Sequence, residues 1–471
     1  MQYISTRGQA PKIGFCDVLL AGLARDGGLY VPETWPKLGE LAVGASAASA
    51  INSASVSYAQ KAASIMSPFV GAEIDQQIFE QLCVDAYSTF RHPEVAPLVE
   101  IGPNEYLLEL FHGPTLAFKD VALQLVGKLF DHVLMQRGQR VMIVGATSGD
   151  TGGAAFDGVA SCRNVDIVML YPNNRVSDVQ RRQMTTLTAP NVHAVAVDGT
   201  FDDCQDLVKA MFNDQKFRDA NQLSAVNSIN WVRVMAQVVY YVTAIEKLGR
   251  SAVFSVPTGN FGNVLAGWIA KQMGTQIEGF VVASNTNDIL TRFFESKQMS
   301  ANEVVPTLSP SMDIQVSSNF ERLLFETNNR DGAATAKQLT DFRATGKLEV
   351  VASVYQKWFE GVFVGRRCND EQTLATMQDV YKQSAMLIDP HTAVGLSAAR
   401  QSAGVDYPKN MPMITLATAH PAKFPDAVRR ATGQTPKLPE HLADLMSRPE
   451  HSVSLPNDLG AVQAFVASCR K

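Results

Sequence analysis

The stretch QRVMIVGATSGDTGGAA (residues 139–155) runs from an unbroken apolar segment straight into a glycine-rich turn, and AVFSVPTGNFGNVLAGWIAKQMG (252–274) repeats that grammar. A short apolar run bounded by turn residues predicts a strand buried on both faces. In both stretches the turn hands the chain to a helix. Working outward, EYLLELF (105–111), DIVMLYP (166–172), VHAVAVDG (192–199), FVVAS (280–284) and MITLAT (413–418) read as further strands. The segment TLAFKDVALQLVGKLFDHVLMQRG (115–138) reads as a long helix ended by Gly138, and SINWVRVMAQVVYYVTAIEKLG (228–249) as another ended by Gly249. Strands alternating with helices in this way predict an α/β fold of mostly parallel sheets covered by helices.

Before residue 97 the pattern differs. Residues 21–35 carry Gly27, Gly28 and Pro32, with Pro36 directly after, and read as an ordered, turn-rich loop. The Ala- and Ser-rich run at 41–66 contains Tyr58, Ala62 and Met66 at helical spacing, which predicts a helix over 55–66. IDQQIFEQLCVDAYSTF (74–90) has Ile78, Leu82, Ala86 and Tyr87 on one face and predicts a second. The expected organisation is therefore a mainly helical N-terminal domain over 1–96 and an α/β region over 97–471. A smaller, mobile α/β lobe at about 140–225 is expected within the larger one. The late apolar run VQAFVASC (462–469) reads as a packed tail.

Composition narrows the function classes. At about 150 residues per domain, 471 residues suggest roughly three domains, and 46% apolar residues supply a large core. Forty-one Lys and Arg stand against 46 Asp and Glu, a formal charge of −5, which gives no footprint for nucleic acid. The six cysteines include no CxxC pair, so neither a zinc knuckle nor a dithiol site is indicated. Arg7 and Lys12 interrupt the place where a secretory signal would be apolar, and no apolar stretch of about twenty residues follows. The expectation is a cytoplasmic protein with no membrane partner and no metal.

Two glycine turns, each between a strand and a helix, point backbone N–H groups at a helix's positive end and make cradles for anions. The first runs from Gly145 to Gly153, the second from Gly259 to Asn263. Neither has the spacing of a nucleotide P-loop or of the dinucleotide glycine motif, so the anion is not the pyrophosphate of ATP or NAD. Glycines that merely permit tight turns remain the alternative. Lys119, in HGPTLAFKD (112–120), falls in the first turn or two of the predicted helix, beside Asp120. A positive helix end and apolar surroundings disfavour its charge, and a neutral amine can form a Schiff base. A lysine on a helix is more often simply solvated, and these residues alone leave both readings open.

Five ordered blocks, HGPTLAFKD, GATSGDTGGAA, PTGNFGN, DPHTAVG and ATAHPAKF, together with STRGQAP and LLAGLARDGGLYVPE near the N-terminus, resemble the threonine synthase family of the longer bacterial and fungal kind. That family consists of pyridoxal-phosphate (PLP) enzymes of fold type II, with the tryptophan-synthase-β fold. The resemblance implies PLP as cofactor and O-phospho-L-homoserine as substrate, converted with water to L-threonine and phosphate by γ-elimination and β-addition.

Carried over residue by residue, the resemblance makes Lys119 the lysine that holds PLP and moves protons. It makes Gly259, Asn260, Phe261, Gly262 and Asn263 the cup for the cofactor phosphate. Asp150 would stand near the cofactor's 3′-oxygen, where related enzymes often carry asparagine, and Thr418 would meet the pyridine nitrogen. Thr147, Ser148 and Thr151 are expected at the substrate carboxylate. Asn287, Asp288 and Arg292 are expected as a substrate-side cluster, with Arg292 on the substrate phosphate. His391 and Thr392 either face the cleft or belong to a helix cap formed by Asp389-Pro390. Rival readings are a phospho-lyase or serine/threonine dehydratase releasing 2-oxobutanoate on the same scaffold, and, from another class, a non-catalytic regulator that keeps the fold. Oligomeric state is not encoded in any of these motifs.

Overall fold

The computed structural model describes residues 1–39 and 56–470. The chain folds around two sheets. The large one has six strands in the order Phe363–Arg367, Ile277–Ser284, Ala252–Pro257, Met413–Ala417, Glu105–Glu109, Leu98–Gly102. All neighbours in it are parallel except the last two, which pair as an antiparallel hairpin. The small sheet runs Val453–Pro456, Val192–Asp198, Val165–Pro172, Val141–Ala146, Leu223–Ser224, all parallel. Every residue of Val165–Pro172 is buried, as a strand covered by helices on both faces requires. The expected α/β architecture is thus what forms.

Parallel strands deliver their carboxyl ends to one edge, and ligands in such folds bind at that edge. Here the loops after Ala252–Pro257, Glu105–Glu109 and Met413–Ala417 all leave from that edge of the large sheet. The loop after Val141–Ala146 leaves the small sheet in the same sense. The two halves meet through the helices Lys119–Arg137 and Asp150–Val159, which cross with their backbones almost touching. A Cβ on Gly127 would lie 1.8 Å from the Gly158 carbonyl oxygen, and one on Gly158 would lie 2.5 Å from that of Leu123.

Several element ends differ from the sequence expectation for physical reasons. The long helix starts at Lys119 rather than at Thr115. The Thr115 N–H and hydroxyl both donate to the Asp120 carboxylate, at 2.8 and 2.5 Å, and this wraps residues 113–118 into a loop. Leu116 takes a left-handed φ of 64° within it. Of the run at 41–66, residues 41–55 lie outside the described residues. The helix there is Tyr58–Val70, opened by a capping box between Ser57 and Gln60. The second N-terminal helix is Gln76–Tyr87, capped by Asp75.

These N-terminal helices share one apolar core with Lys119–Arg137 and Trp231–Leu248. Tyr3 ties them together, donating to the Phe69 carbonyl at 2.7 Å and accepting from the Trp231 indole at 3.1 Å. The tail is packed as expected: Val462 and Val466 of the helix Leu459–Ser468 are buried against the small sheet beside Val195 and Val197. The strand Val453–Pro456 that adds to this sheet carries no clear sequence signal. Among the described residues, no helix is long and apolar enough to cross a membrane.

Candidate active site

Lys119 is the first residue of its helix, and its ammonium sits 3.2 Å from Asp150 Oδ2. Asp150 is likewise the first residue of the helix Asp150–Val159. Its other oxygen, Oδ1, meets the Lys423 ammonium at 2.9 Å and the Gln180 amide at 2.8 Å. The Ser311 hydroxyl donates to Oδ2 at 3.1 Å. Burial would push the Asp150 carboxyl up, but the two lysine charges and the Gln180 donor outweigh it and hold the group well below the usual carboxylate range. For Lys119 burial dominates and lowers its pKa. The Lys423 and Arg233 charges act in the same direction and Asp150 opposes them. The lysine is therefore biased toward the neutral amine.

Ser311 links this pair to two more helix ends. Its N–H donates to His391 Nε2 at 3.3 Å, and a Cβ on Gly259 would stand 2.9 Å from its carbonyl oxygen. His391 opens the helix Pro390–Ser402, and its Nδ1 lies 2.9 Å from Asp389 Oδ1. With Nε2 accepting, Nδ1 carries the proton toward Asp389. Asp389 also takes the backbone N–H of His391 and the Thr392 hydroxyl. Thr392 is thus part of the cap, whereas His391 both closes the cap and reaches Ser311.

The second glycine turn opens the helix Gly262–Gln272. Phe261 caps it with a left-handed φ of 62°, a conformation that costs a residue bearing a Cβ about 1–2 kcal/mol. Packing supports the strain: the ring is fully buried, with Phe320 5.2 Å away. The Asn263 side chain is engaged within the turn. Its oxygen accepts from Thr258 at 2.6 Å and its amide donates to the Pro257 carbonyl at 2.9 Å, so it braces the loop. The Asn260 carbonyl accepts from the Asn319 N–H at 3.0 Å, while its side chain takes the Ser318 hydroxyl at 3.1 Å. A Cβ on Gly262 would come within 3.2 Å of the Asn319 amide, so glycine keeps the helix end open.

Thr147 is buried and its hydroxyl accepts from Gly149 and Gly152, both at 2.9 Å, which shapes the first turn. Ser148 and Thr151 flank that turn half-buried. Thr418 is buried at the end of Met413–Ala417, and its carbonyl accepts from Phe118, which ties it to the turn that carries Lys119. Asn287, Asp288 and Arg292 are bonded elsewhere. Asn287 holds Val305 and Asp313, Asp288 holds Arg292 and Arg367, and Arg292 also holds Ser300 and Gln315. Their polar atoms organise residues 300–315, the segment from which Ser311 projects, and none of these bonds goes to Lys119 or Asp150.

Two cations escaped the sequence reading. Lys423 has a fully buried side chain and donates also to the Thr115 carbonyl at 2.9 Å and to Gln183 Oε1 at 3.1 Å. Arg233 is 4% exposed and reaches the Val226 carbonyl at 2.9 Å, but its buried Nε has no hydrogen-bond partner among the described residues. Burial lowers its pKa to about 10. A signal existed for each: both are lone charges in otherwise apolar segments, AHPAKF and WVRVMAQVV.

Residues 2–87 match the family described as threonine synthase N terminus, 92–416 that of pyridoxal-phosphate dependent enzymes, and 392–466 that of threonine synthase, C-terminal. The chain belongs to the threonine synthase family. It is 53% identical to threonine synthase of Pseudomonas aeruginosa over 99% of this chain and 98% of that one. A crystal structure of PLP-bound threonine synthase from Brucella melitensis superposes with a TM-score of 0.94 at 49% identity, covering all of both chains. The yeast enzyme does so at 0.92 and 38%, covering 99% of this chain and 98% of that one.

The family's cofactor is PLP, and the residues present fit it. They offer a lysine biased toward its neutral form, a glycine cup at a helix N-terminus where a Cβ would intrude, and a buried arginine with an unsatisfied N–H. As a member the chain is a PLP-dependent lyase of fold type II.

Proposed function

We propose that this chain carries out the family's reaction, conversion of O-phospho-L-homoserine and water to L-threonine and phosphate, with Lys119 as both cofactor anchor and proton carrier. The observation that carries the reading is the convergence of four helix N-termini on buried lysines: Lys119, Asp150, Gly262 and Pro390. Three of these ends, at Lys119, Asp150 and Gly262, have no capping side chain at the N-cap and carry a partial positive charge, whereas Asp389 caps the fourth, so the cleft is built for several anionic groups at once. Cofactor phosphate, substrate carboxylate and substrate phosphate are three such groups.

Bound PLP supplies an electron sink next to the substrate's α-carbon. The protein's own work is binding and proton movement. Gly259 to Gly262 receive the cofactor phosphate, with Asn263 bracing them from behind. The N–H groups around Gly149 to Thr151, with Ser148 and Thr151, hold the substrate carboxylate. Arg233 rather than Arg292 pairs with the substrate phosphate, because its Nε is free whereas Arg292 is occupied by Asp288, Ser300 and Gln315. Lys119, once released by the substrate amine, removes a proton from Cα and then one from Cβ. It returns a proton to Cγ after phosphate departs. Water then adds its hydroxyl at Cβ, giving its other proton to the departed phosphate, and Lys119 returns its second proton to Cα. Asp150, kept ionised, would meet the cofactor's 3′-oxygen, and Thr418 would meet the pyridine nitrogen. A mobile small lobe closing over the substrate would exclude water until that step.

The test is product analysis of the PLP-loaded chain given O-phospho-L-homoserine. Phosphate and threonine in equal amounts are expected, and phosphate with 2-oxobutanoate would move the assignment to a phospho-lyase. Lys119→Ala is expected to abolish turnover while circular dichroism stays native; turnover above trace level would remove Lys119 from its role. Arg233→Met is expected to raise KM by at least tenfold, about 1.4 kcal/mol of lost binding, with cofactor affinity unchanged. A fall in cofactor affinity with KM intact would assign Arg233 to the cofactor phosphate instead.

A further inference from the structure

Asp150 poses an electrostatic problem. A carboxylate beside the cofactor's 3′-oxygen sets two anionic oxygens against each other, and once Lys119 is committed to the cofactor its charge is no longer free to pair with Asp150. The second lysine answers this. Lys423 is held in a socket of fixed geometry, with the Thr115 carbonyl at 2.9 Å, Gln183 Oε1 at 3.1 Å and Asp150 Oδ1 at 2.9 Å, and its side chain has no exposed area. Gln183 is itself fixed, donating to the same Thr115 carbonyl at 3.0 Å. Lys423 thereby joins three pieces of chain: the turn after Met413–Ala417, the loop that carries Lys119, and the Asp150 and Asp178–Thr185 helices of the small-sheet half.

We infer that Lys423 is a positioning residue whose charge, held against Asp150, sets the protonation of the nitrogen that Lys119 contributes to the cofactor. The inference rests on the reading of Lys119 and Asp150 given above. The groups facing the pair enter the balance, and the buried Asp120 carboxyl, held by Thr115, lies in the field of Lys423 as well. Around Asp150 stand Lys119, Lys423, the Gln180 amide, the Ser311 hydroxyl and, behind Ser311, His391. Around Lys119 stand Asp150, the Phe118 ring with its centroid at 4.9 Å, and the more distant charges of Lys423 and Arg233. Asp150 favours a proton on the Lys119 nitrogen and Lys423 opposes it. A neutral side chain at 423 leaves the carboxylate's field unbalanced, so the nitrogen holds its proton to higher pH.

The experiment is a pH titration of the visible absorbance of the PLP-loaded full chain, which reports whether that nitrogen is protonated. Lys423→Met is expected to raise the midpoint by roughly one pH unit, the lower end of what a charge within a few ångströms produces at a buried site. Lys423→Gln, which keeps a donor toward the Thr115 carbonyl, should do the same. Lys423→Arg keeps the charge and should hold the wild-type midpoint even though its bulk lowers the Tm. A purely structural lysine predicts the reverse, with Tm falling in all three and no midpoint moving, and that result overturns the inference.

Asp150→Asn separates the two levels of the argument. It should lower the midpoint; if it does while the Lys423 variants do not move, the inference alone fails. If Asp150→Asn leaves the midpoint unchanged, the reading of Asp150 fails as well. Should the Met and Gln variants not take up PLP, uptake retained by Lys423→Arg supports the charge requirement, and uptake lost equally by all three overturns it.

Discussion

Arg322 offers the sharpest test of how the N-terminal segment supports the Gly259–Asn263 turn. Its side chain is 1% exposed, and its three hydrogen bonds all go to neutral oxygens: Nε to the Tyr30 carbonyl at 3.0 Å, Nη2 to the Ile229 carbonyl at 2.7 Å, and Nη1 to Asn319 Oδ1. Burial lowers its pKa to about 9, with Glu321 opposing, so the cation is retained at a desolvation cost. Asn319 is the relay: its amide donates to the Ser228 carbonyl at 3.1 Å and its N–H to the Asn260 carbonyl at 3.0 Å.

Arg322→Met fills the volume but orphans three buried acceptors at about 1–3 kcal/mol each, while removing a buried charge whose desolvation offsets part of that. The net expectation is a stability loss of about 3 kcal/mol in urea denaturation of the apoprotein. Loosening Asn319 should also weaken PLP binding about tenfold, about 1.4 kcal/mol, in an absorbance titration. Stability within about 1 kcal/mol of wild type, with unchanged PLP affinity, would refute the reasoning. A stability loss with unchanged affinity would confine Arg322 to anchoring Tyr30.

The helix crossing beneath the site gives a second prediction. Gly158→Ala would set a Cβ 2.5 Å from the Leu123 carbonyl oxygen, a backbone atom that cannot step aside, so a loss of about 2–3 kcal/mol is expected by denaturation. A loss below about 0.5 kcal/mol would show that the helices separate freely. His420 gives an acid limit. Burial, reinforced by His112, pushes its pKa down to about 4, so the unfolded chain binds this proton first as pH falls below 6.5. Its contribution, at most about 3 kcal/mol, is complete above pH 6.5 and is lost as pH falls toward 4. His420→Asn, which can still accept from the Ala422 N–H, should lose less stability between those limits than wild type; an identical acid profile would remove His420 from the cause.

What could be read from the sequence follows from what each residue type reveals. The strands around 143, 168, 254 and 414 were legible because apolar runs bounded by glycine or proline have few other stable arrangements. Val453–Pro456 was not, since four residues at a sheet edge, mostly exposed, leave no periodicity. The start of the Lys119 helix was misjudged because Thr115, a good helix opener, is captured by Asp120 five residues on, a contact between side chains that no propensity describes. At the site, the positions of Lys119 and the two glycine turns were marked by motif resemblance. The convergence of Lys423, Gln180 and Ser311 on Asp150 was not, because they come from chain positions 30 to more than 270 residues away. The expected cluster of Asn287, Asp288 and Arg292 exists as a cluster, but its hydrogen bonds go to residues 300–315 and Arg367. Polarity at those positions is visible in sequence; the direction in which it is spent is not.

The charges at this site also explain why it needs its ligands. The whole chain is negative, at −5, yet the buried Asp150 carboxylate lies between Lys119 and Lys423, the Arg233 charge acts on Lys119, and Arg322 is a further buried cation. Each uncompensated buried cation costs several kcal/mol. The hydrogen bonds of Arg233 and Arg322 go only to neutral acceptors, with Glu321 the one charge supporting Arg322, and Arg233 Nε has no partner among the described residues. Such an arrangement persists because anions complete it. The apoprotein therefore carries stored electrostatic cost that a phosphate group relieves, and part of the binding energy for PLP is present before the cofactor arrives. With a cofactor phosphate in the Gly259–Gly262 turn, the unsatisfied Arg233 Nε would be left for a second anion, as the proposed pairing of Arg233 with the substrate phosphate requires.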